Sequence, residues 1–485
     1  MAVNQASTRW KMWSALALSS SILLSSVPSA YAQDSAAQAQ AISEQALDEV
    51  RLLIGNYHVS GVSVKELENK SLEAIMEQLK DPYTQFIPKE ELTGYQRSLE
   101  DQYVGIGVRV SEEAQGLYVT EVFPSSPALT AGLKEGDTIV SVGGTSAQGK
   151  PMEEVVAMIK GPEGSTVQIE VLTGEGQRKT LEVLRKAVGV PPVYGYLFSG
   201  GVGLIEVASF TSETDELFAA KLKELQEKGL KSLIIDLRYN PGGYLETTLN
   251  MAKLFQKEGV LMHERDRTRE TVAKTFSGGQ NFDAPVYILV NANSASASEV
   301  FTGMMQDAGI AKAVGTKTYG KGSVQGFFEI TGGGQLKLTI EEYLTPNFRK
   351  VNHVGLTPDI EVEGDLLQLF TAMRLAGENS IQIVLQQRDD LINGQDYNVD
   401  FPTKEQDGKV LVPSRLLSAM VGAKIAWNGE LAAVDMTVGS ELKRFTKEMM
   451  INDNGTTYIP LETFQSQFPT FAWSKQDGKV VIEAK

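Results

Sequence analysis

In "ISEQALDEVRLLIGNYHVSGVSVKELENKSLEAIMEQLK", residues 42–80, apolar residues recur three and four positions apart, which predicts amphipathic helices broken near "GNYHVSGVSV". Helices of this kind cannot bury their own stripe. Residues 33–92 are therefore expected to pack on the body of the protein or on a second copy. The period then drops to two. "YVGIGVRVSEE", "GLYVTEVF" and "TVQIEVLTGEGQRKTLEVLR" read as short strands, with a helix at "PMEEVVAMIKG", so residues 93–186 form a β-rich domain. From 187 to 366 strand and helix alternate: "GVGLIEVASF", "ETDELFAAKLKELQEKGL", "KSLIIDLRYNPGG", "LETTLNMAKLFQ", "APVYILVNANSASASEVFTGMMQDAG". This alternation predicts an open-sheet α/β domain with its functional groups at the carboxyl ends of the strands. The tail, 380–485, repeats itself. "VLVPSRLLSAMVGAKIAWNGELAAV" is echoed by "TYIPLETFQSQFPTFAWSKQDGKVVI", each read as strand, short helix, strand, the two packing as one small α+β module.

Composition narrows the function. The chain has 485 residues, 42% of them hydrophobic, enough for several cores. A net charge of -16 carries the wrong sign for nucleic acid or an anionic membrane surface. Residues 1–32 place Arg9 and Lys11 before an apolar run that ends in Ala30-Tyr31-Ala32, a signal-peptide pattern; left uncleaved, it would anchor the chain to a membrane. Cysteine is absent, which removes disulfides, thiolate–zinc sites and a cysteine nucleophile, and suits an exported protein of a Gram-positive bacterium. His58, His263 and His353 are the only histidines and show no metal-ligand spacing. No cofactor is expected.

The stretch "NANSASASEVFTG", 291–303, has two readings: capping serines, or a nucleophile delivered by an apolar strand to a helix start, where unpaired N–H groups can hold an oxyanion. A serine nucleophile needs a base. Lys321, in "GTKTYGKGSVQGFFEI", can act as one if burial keeps its amine neutral, and Gln325 can orient that amine without adding charge.

Two resemblances sharpen this. "SPALTAGLKEGDTIVSVGG", 126–144, resembles the core signature of PDZ domains. That resemblance implies a groove taking a peptide C-terminus as an added strand, with Tyr103, Val104, Gly105, Ile106, Gly107 and Val108 presenting N–H groups to its carboxylate. "SASASE" and "GKGSVQ", preceded by "LKDPYTQFIPKEEL" and "IDLRYNPGG" and followed by "LKLTIEEYLTPNFRKVNHVGLTPDIEV", resemble the carboxyl-terminal processing proteases, tail-specific Ser/Lys peptidases with a PDZ domain. The family's 25-residue spacing implies Ser296 as nucleophile, Lys321 as base and Gln325 as its orienter. It also implies an oxyanion hole from the N–H groups of Gly242 and Ala297 in a crotonase-like core. Asp236 and Arg238 read as structural. In "IKGPEGST", Lys160 stands where the family commonly has a gating arginine, keeping the charge but not the bidentate geometry. The tail module resembles the copper amine oxidase N-terminal-like module; with no Cys or His beyond 365, an envelope contact is expected of it rather than copper. The resemblance further implies a homodimer and protein substrates with exposed, hydrophobic C-terminal tails. The competing reading is a non-catalytic PDZ scaffold.

Overall fold

The computed structural model describes residues 42–386, 390–399 and 401–485. The signal-peptide pattern lies outside them. Among the described residues no helix is long and apolar enough to cross a membrane. The chain divides into two compact units, one ending at Val362 and the other running from Glu363 to Lys485.

The first unit opens with helices α1 (Glu44–Tyr57), α2 (Val64–Leu67) and α3 (Leu72–Leu79), then strand β1 (Gln85–Ile87) and helix α4 (Leu92–Leu99). Ser43 caps α1, its Oγ accepting the Ala46 N–H at 3.2 Å. The 3.6-residue stripe Ala46, Leu47, Val50, Ile54 meets Leu67 and Ile75, and all pack on Ile330, Leu336 and Leu338 of the body. Each of the buried Val, Leu and Ile side chains among them contributes about 1.5–3 kcal/mol relative to exposure. The stripe that invited a second copy is thus covered within the chain.

Strands β2 (Gln102–Gly105), β3 (Val108–Glu113), β4 (Gly116–Val122), β5 (Thr138–Val142), β6 (Thr145–Ser146), β7 (Thr166–Leu172), β8 (Arg178–Leu184) and β9 (Lys186–Gly189) follow, with helices α5 (Pro127–Ala131) and α6 (Met152–Ile159). β3 is an edge of the sheet β3-β4-β5-β7-β8, and β2 pairs with β9. Leu117, Val119, Ile139, Ile169, Val171 and Val183 form this domain's own core.

The α/β layer is the six-stranded sheet β10 (Val193–Leu197), β11 (Val202–Val207), β12 (Ser232–Asp236), β15 (Val286–Val290), β16 (Ala311–Gly315) and β19 (Ile360–Glu361). It is parallel from β11 onward. Helices α7 (Thr214–Glu227), α8 (Leu245–Ala252) and α9 (Ala297–Asp307) cover its apolar core. A second sheet joins β1, β18 (Gln335–Leu344), β13 (Gly259–Arg265) and β14 (Thr271–Phe276), with β17 (Ser323–Glu329) also on β18. The open sheet is thus as the strand–helix alternation predicts.

The second unit, from Glu363, opens with helix α10 (Asp365–Leu375). Its two repeats read strand–helix–strand: Lys409–Pro413, Ser414–Met420, Lys424–Asn428, then Thr456–Pro460, Leu461–Gln467, Phe471–Gln476. Their first strands pair with each other (Val412 opposite Ile459), whereas their last strands enter different sheets.

Candidate active site

Strands β12 and β15 are parallel neighbours, Asp236 standing opposite Leu289, so the segments leaving their carboxyl ends meet. The first, "LRYNPGG", is held by a buried pair: Arg238 Nε and Nη2 donate to Asp236 Oδ1 and Oδ2 at 2.9 and 2.6 Å. Asn240, fully buried, joins the two segments. Its carbonyl accepts from the Ala295 N–H (3.0 Å) and the Ser298 Oγ (3.0 Å), and its side chain donates to the Val207 carbonyl (2.7 Å). Gly242 then passes the second segment at φ +104°, where a Cβ would stand 2.7 Å from Ser296 Cβ and 2.9 Å from the Ala297 nitrogen. Only glycine fits there.

The three serines separate sharply. Ser294 Oγ donates to the Leu237 carbonyl at 2.8 Å and accepts the Asn291 N–H at 3.0 Å, and Ser298 is bound to Asn240; both are 0% exposed. Ser296 is partly open and lines the cleft. Its backbone is strained (φ 55°, ψ -116°) as the strand turns into α9. The Ala297 N–H, first of that helix, has no hydrogen-bond partner among the described residues. The Gly242 N–H does have one, donating to Asn240 Oδ1 at 2.9 Å, so in this state it is not free for an oxyanion.

One cleft of about 350 Å³ is lined by Ser296, Ala297, Gly242, Gly243, Lys321 and Gln325, with Leu99, Leu245, Met262, Val300 and Val324 as its apolar walls. It contains every catalytic and oxyanion residue expected from sequence and no histidine. His263 stacks on Phe348 instead (3.9 Å). Burial, aided by repulsion from Lys337, lowers the Lys321 amine to about 8, against weaker opposing pulls from Glu299 and Asp81. Its Nζ lies 4.9 Å over the Tyr83 ring, and no hydrogen bond joins it to Ser296 or Gln325. Gln325 donates to Ser323 Oγ (3.0 Å) and Thr339 Oγ1 (3.4 Å).

Glu299 was not singled out by sequence reasoning. It is fully buried and its carboxylate takes the N–H of Ser296 (3.0 Å), Gly320 (2.8 Å) and Lys321 (2.8 Å) and the Thr318 hydroxyl (2.6 Å). One carboxylate thereby sets the backbone of both Ser296 and Lys321. The S-x-x-E spacing of Ser296 and Glu299, a capping-box signature, was the available signal. Tyr343 adds a second tie, its single hydroxyl proton shared between the Lys321 carbonyl (2.9 Å) and the Ser296 carbonyl (3.1 Å).

In the β-rich domain Tyr103, Val104 and Gly105 lie on β2, Ile106 and Gly107 form the turn, and Val108 opens the edge strand β3, whose Glu112 Oε2 accepts the Met152 N–H at the start of α6 (3.4 Å). The Gly107 and Val108 N–H groups face the Tyr103 hydroxyl. Lys160, exposed just beyond α6, stands 5.9 Å over the Tyr103 ring. The next turn is tied to the cleft: Glu163 pairs with Arg97 (2.7 Å) on α4, whose Tyr95, Ser98 and Leu99 line the cleft.

Residues 201–362 match Peptidase family S41, and residues 95–172 match the PDZ domain. The chain thus carries a PDZ domain followed by a peptidase domain of family S41. Among its relatives is the probable CtpA-like serine protease of Staphylococcus saprophyticus, 32% identical over 320 residues, 65% of each chain. Another is that of Staphylococcus aureus strain N315, 34% identical over 317 residues, 64% of this chain and 63% of the relative. The match thus spans just under two thirds of these relatives' length. The solved photosystem II D1 C-terminal processing protease is 24% identical, covering 70% of this chain and 98% of its own, with a TM-score of 0.46. Residues 371–436 and 391–449 match the copper amine oxidase N-terminal domain. Among the described residues no cluster of His, Cys, Asp or Glu could hold a metal ion.

Proposed function

We propose that the protein is a secreted serine endopeptidase that takes the C-terminal tail of a protein substrate on the β3 edge and cleaves upstream with a Ser296/Lys321 dyad. The observation that carries this is that Ser296, alone of three neighbouring serines, opens onto the cleft holding a lysine whose amine is lowered to about 8. At pH 7 roughly a tenth of such an amine is neutral. Ser296 Oγ attacks the scissile carbonyl while Lys321 Nζ takes its proton. The tetrahedral oxyanion is held by the Ala297 N–H and, once Asn240 releases it, by that of Gly242. Collapse breaks the C–N bond, Lys321 returns the proton to the leaving amine, and water then hydrolyses the acyl-enzyme with Lys321 as base again.

Gating by the PDZ groove belongs to the same proposal. An incoming carboxylate displaces the Tyr103 hydroxyl from the Gly107 and Val108 N–H groups beside Lys160, and the Arg97–Glu163 pair links that end of the groove to the cleft. The N-terminal pattern and the Gram-positive origin of the relatives support a location outside the cytoplasm. A homodimer and an envelope contact through the second unit rest on resemblance, and sedimentation of the purified chain tests the dimer.

The non-catalytic reading draws on one observation, that Lys321 and Ser296 share no hydrogen bond. Cleavage of one protein with and without a hydrophobic C-terminal tail decides between the readings. Tail-dependent cleavage lost in both Ser296→Ala and Lys321→Ala is expected, and cleavage retained by either folded variant refutes the dyad.

A further inference from the structure

The lysine base rests against an aromatic ring instead of its serine. We propose that Tyr83 is a positioning residue for Lys321, its ring berthing the amine in the substrate-free enzyme and releasing it toward Ser296 when the proton leaves. The inference rests on the Ser296/Lys321 reading. Lys321 Nζ lies 4.9 Å from the Tyr83 ring centroid and has no hydrogen-bond partner among the described residues.

The berth is built to stay in place. The Tyr83 N–H donates to Asp81 Oδ1 (3.0 Å), and Asp81 Oδ2 accepts the Thr84 hydroxyl (2.6 Å) with His58 Nε2 at 3.2 Å. Thr84 Oγ1 in turn accepts the Thr339 N–H (3.1 Å), where β1 pairs with β18. The Tyr83 hydroxyl lies beside that of Tyr319.

An aromatic face attracts an ammonium through its quadrupole and has little hold on a neutral amine. The ring therefore favours the protonated, parked lysine. The charged groups around Lys321 divide: Lys337 from β18 repels the ammonium, whereas Glu299 from α9 and Asp81 beside Tyr83 attract it. The Tyr319 and Tyr343 hydroxyls face the same region, and burial raises the Tyr343 phenol well above its ordinary value. Loss of the proton weakens the hold of the berth and yields the one form of the amine that can accept from Ser296. Parking and protonation are thus one equilibrium.

The test is the kcat/KM–pH profile of the full chain on a tail-bearing substrate, for the parent, Tyr83→Phe, Tyr83→Leu and Tyr83→Met. Removing the ring should move the acid limb down by about half a pH unit, while Tyr83→Phe, which keeps the face, should hold it within about 0.2 unit. A purely structural role would lower the plateau or the melting temperature and leave the limb in place. An unmoved or raised limb in whichever of the Leu and Met variants folds, or an equal shift in Tyr83→Phe, overturns the proposal. If Lys321→Ala is inactive while the limb is unmoved, the berth fails and the dyad stands; an active Lys321→Ala removes both.

Discussion

Lys321→Met, made in a Ser296→Ala chain so that no autolysis intrudes, should make the protein more stable. The folded chain lowers this amine from 10.5 to about 8, so the native state holds the ammonium at a cost. At 1.36 kcal/mol per pKa unit that cost is about 3 kcal/mol, an upper figure because the side chain is partly open. Methionine keeps the straight apolar stem but forfeits the contact with Tyr83, about 1 kcal/mol, leaving a net gain of about 2 kcal/mol at pH 7. The sign follows from linkage. Below pH 8 folded and unfolded chains both carry the proton, and the cost is fully present. Between about 8 and 10.5 the unfolded chain binds more protons, so the parent gains stability as pH rises and the advantage of methionine shrinks. Urea unfolding at pH 7 and pH 9.5, followed by hydrogen exchange of α9 amides so that the second unit does not confuse the transition, measures both points. A variant no more stable than its parent at pH 7, or an advantage unchanged at pH 9.5, would refute the claim that burial holds this amine near neutrality.

Two further substitutions probe the scaffold around Ser296 and Lys321. Glu299→Gln keeps the volume but turns an NH2 toward donors where the carboxylate accepted four hydrogen bonds, and should cost about 2–3 kcal/mol in urea unfolding and about a hundredfold in kcat. Gly242→Ala puts a methyl 2.7 Å from Ser296 Cβ at a φ that alanine resists, and steady-state kinetics should show kcat falling about a hundredfold with KM little changed.

Much of this was legible in the sequence because the relevant signals are local. Period-two strands, the strand–helix alternation and the "NPGG" and "SASAS" turns after apolar runs predict an open sheet whose strand ends converge, and Gly242 and Ser296 do meet there. What stayed hidden is long-range. Nothing local tells that Tyr83, on the approach to β1, comes under a lysine 238 positions away, because that contact is made by the β1–β18 pairing. Asn240 reads as a turn residue, and only the assembled sheet shows it bonded to both strand-end segments. The helical stripe of α1 shows that it needs a partner, but a periodic pattern cannot say whether that partner lies in the same chain. Charge on Lys160 was visible; the aromatic ring it stands over was not.

The site also explains where the stability is given up. Ser296 sits in a strained backbone conformation costing about 1–3 kcal/mol, and within the same cleft an amine is buried at a further cost. Neither survives in a loosely packed loop. What holds them is Glu299, whose four accepted hydrogen bonds fix the serine turn and the lysine turn to one helix, and the fully buried Ser294, Ser298 and Asn240, which lock both strand ends. The Ser296 N–H is committed to Glu299 as in a capping box, yet the turn stays strained and leaves the Ala297 N–H unpaired beside the cleft, an arrangement consistent with the proposed role of this turn.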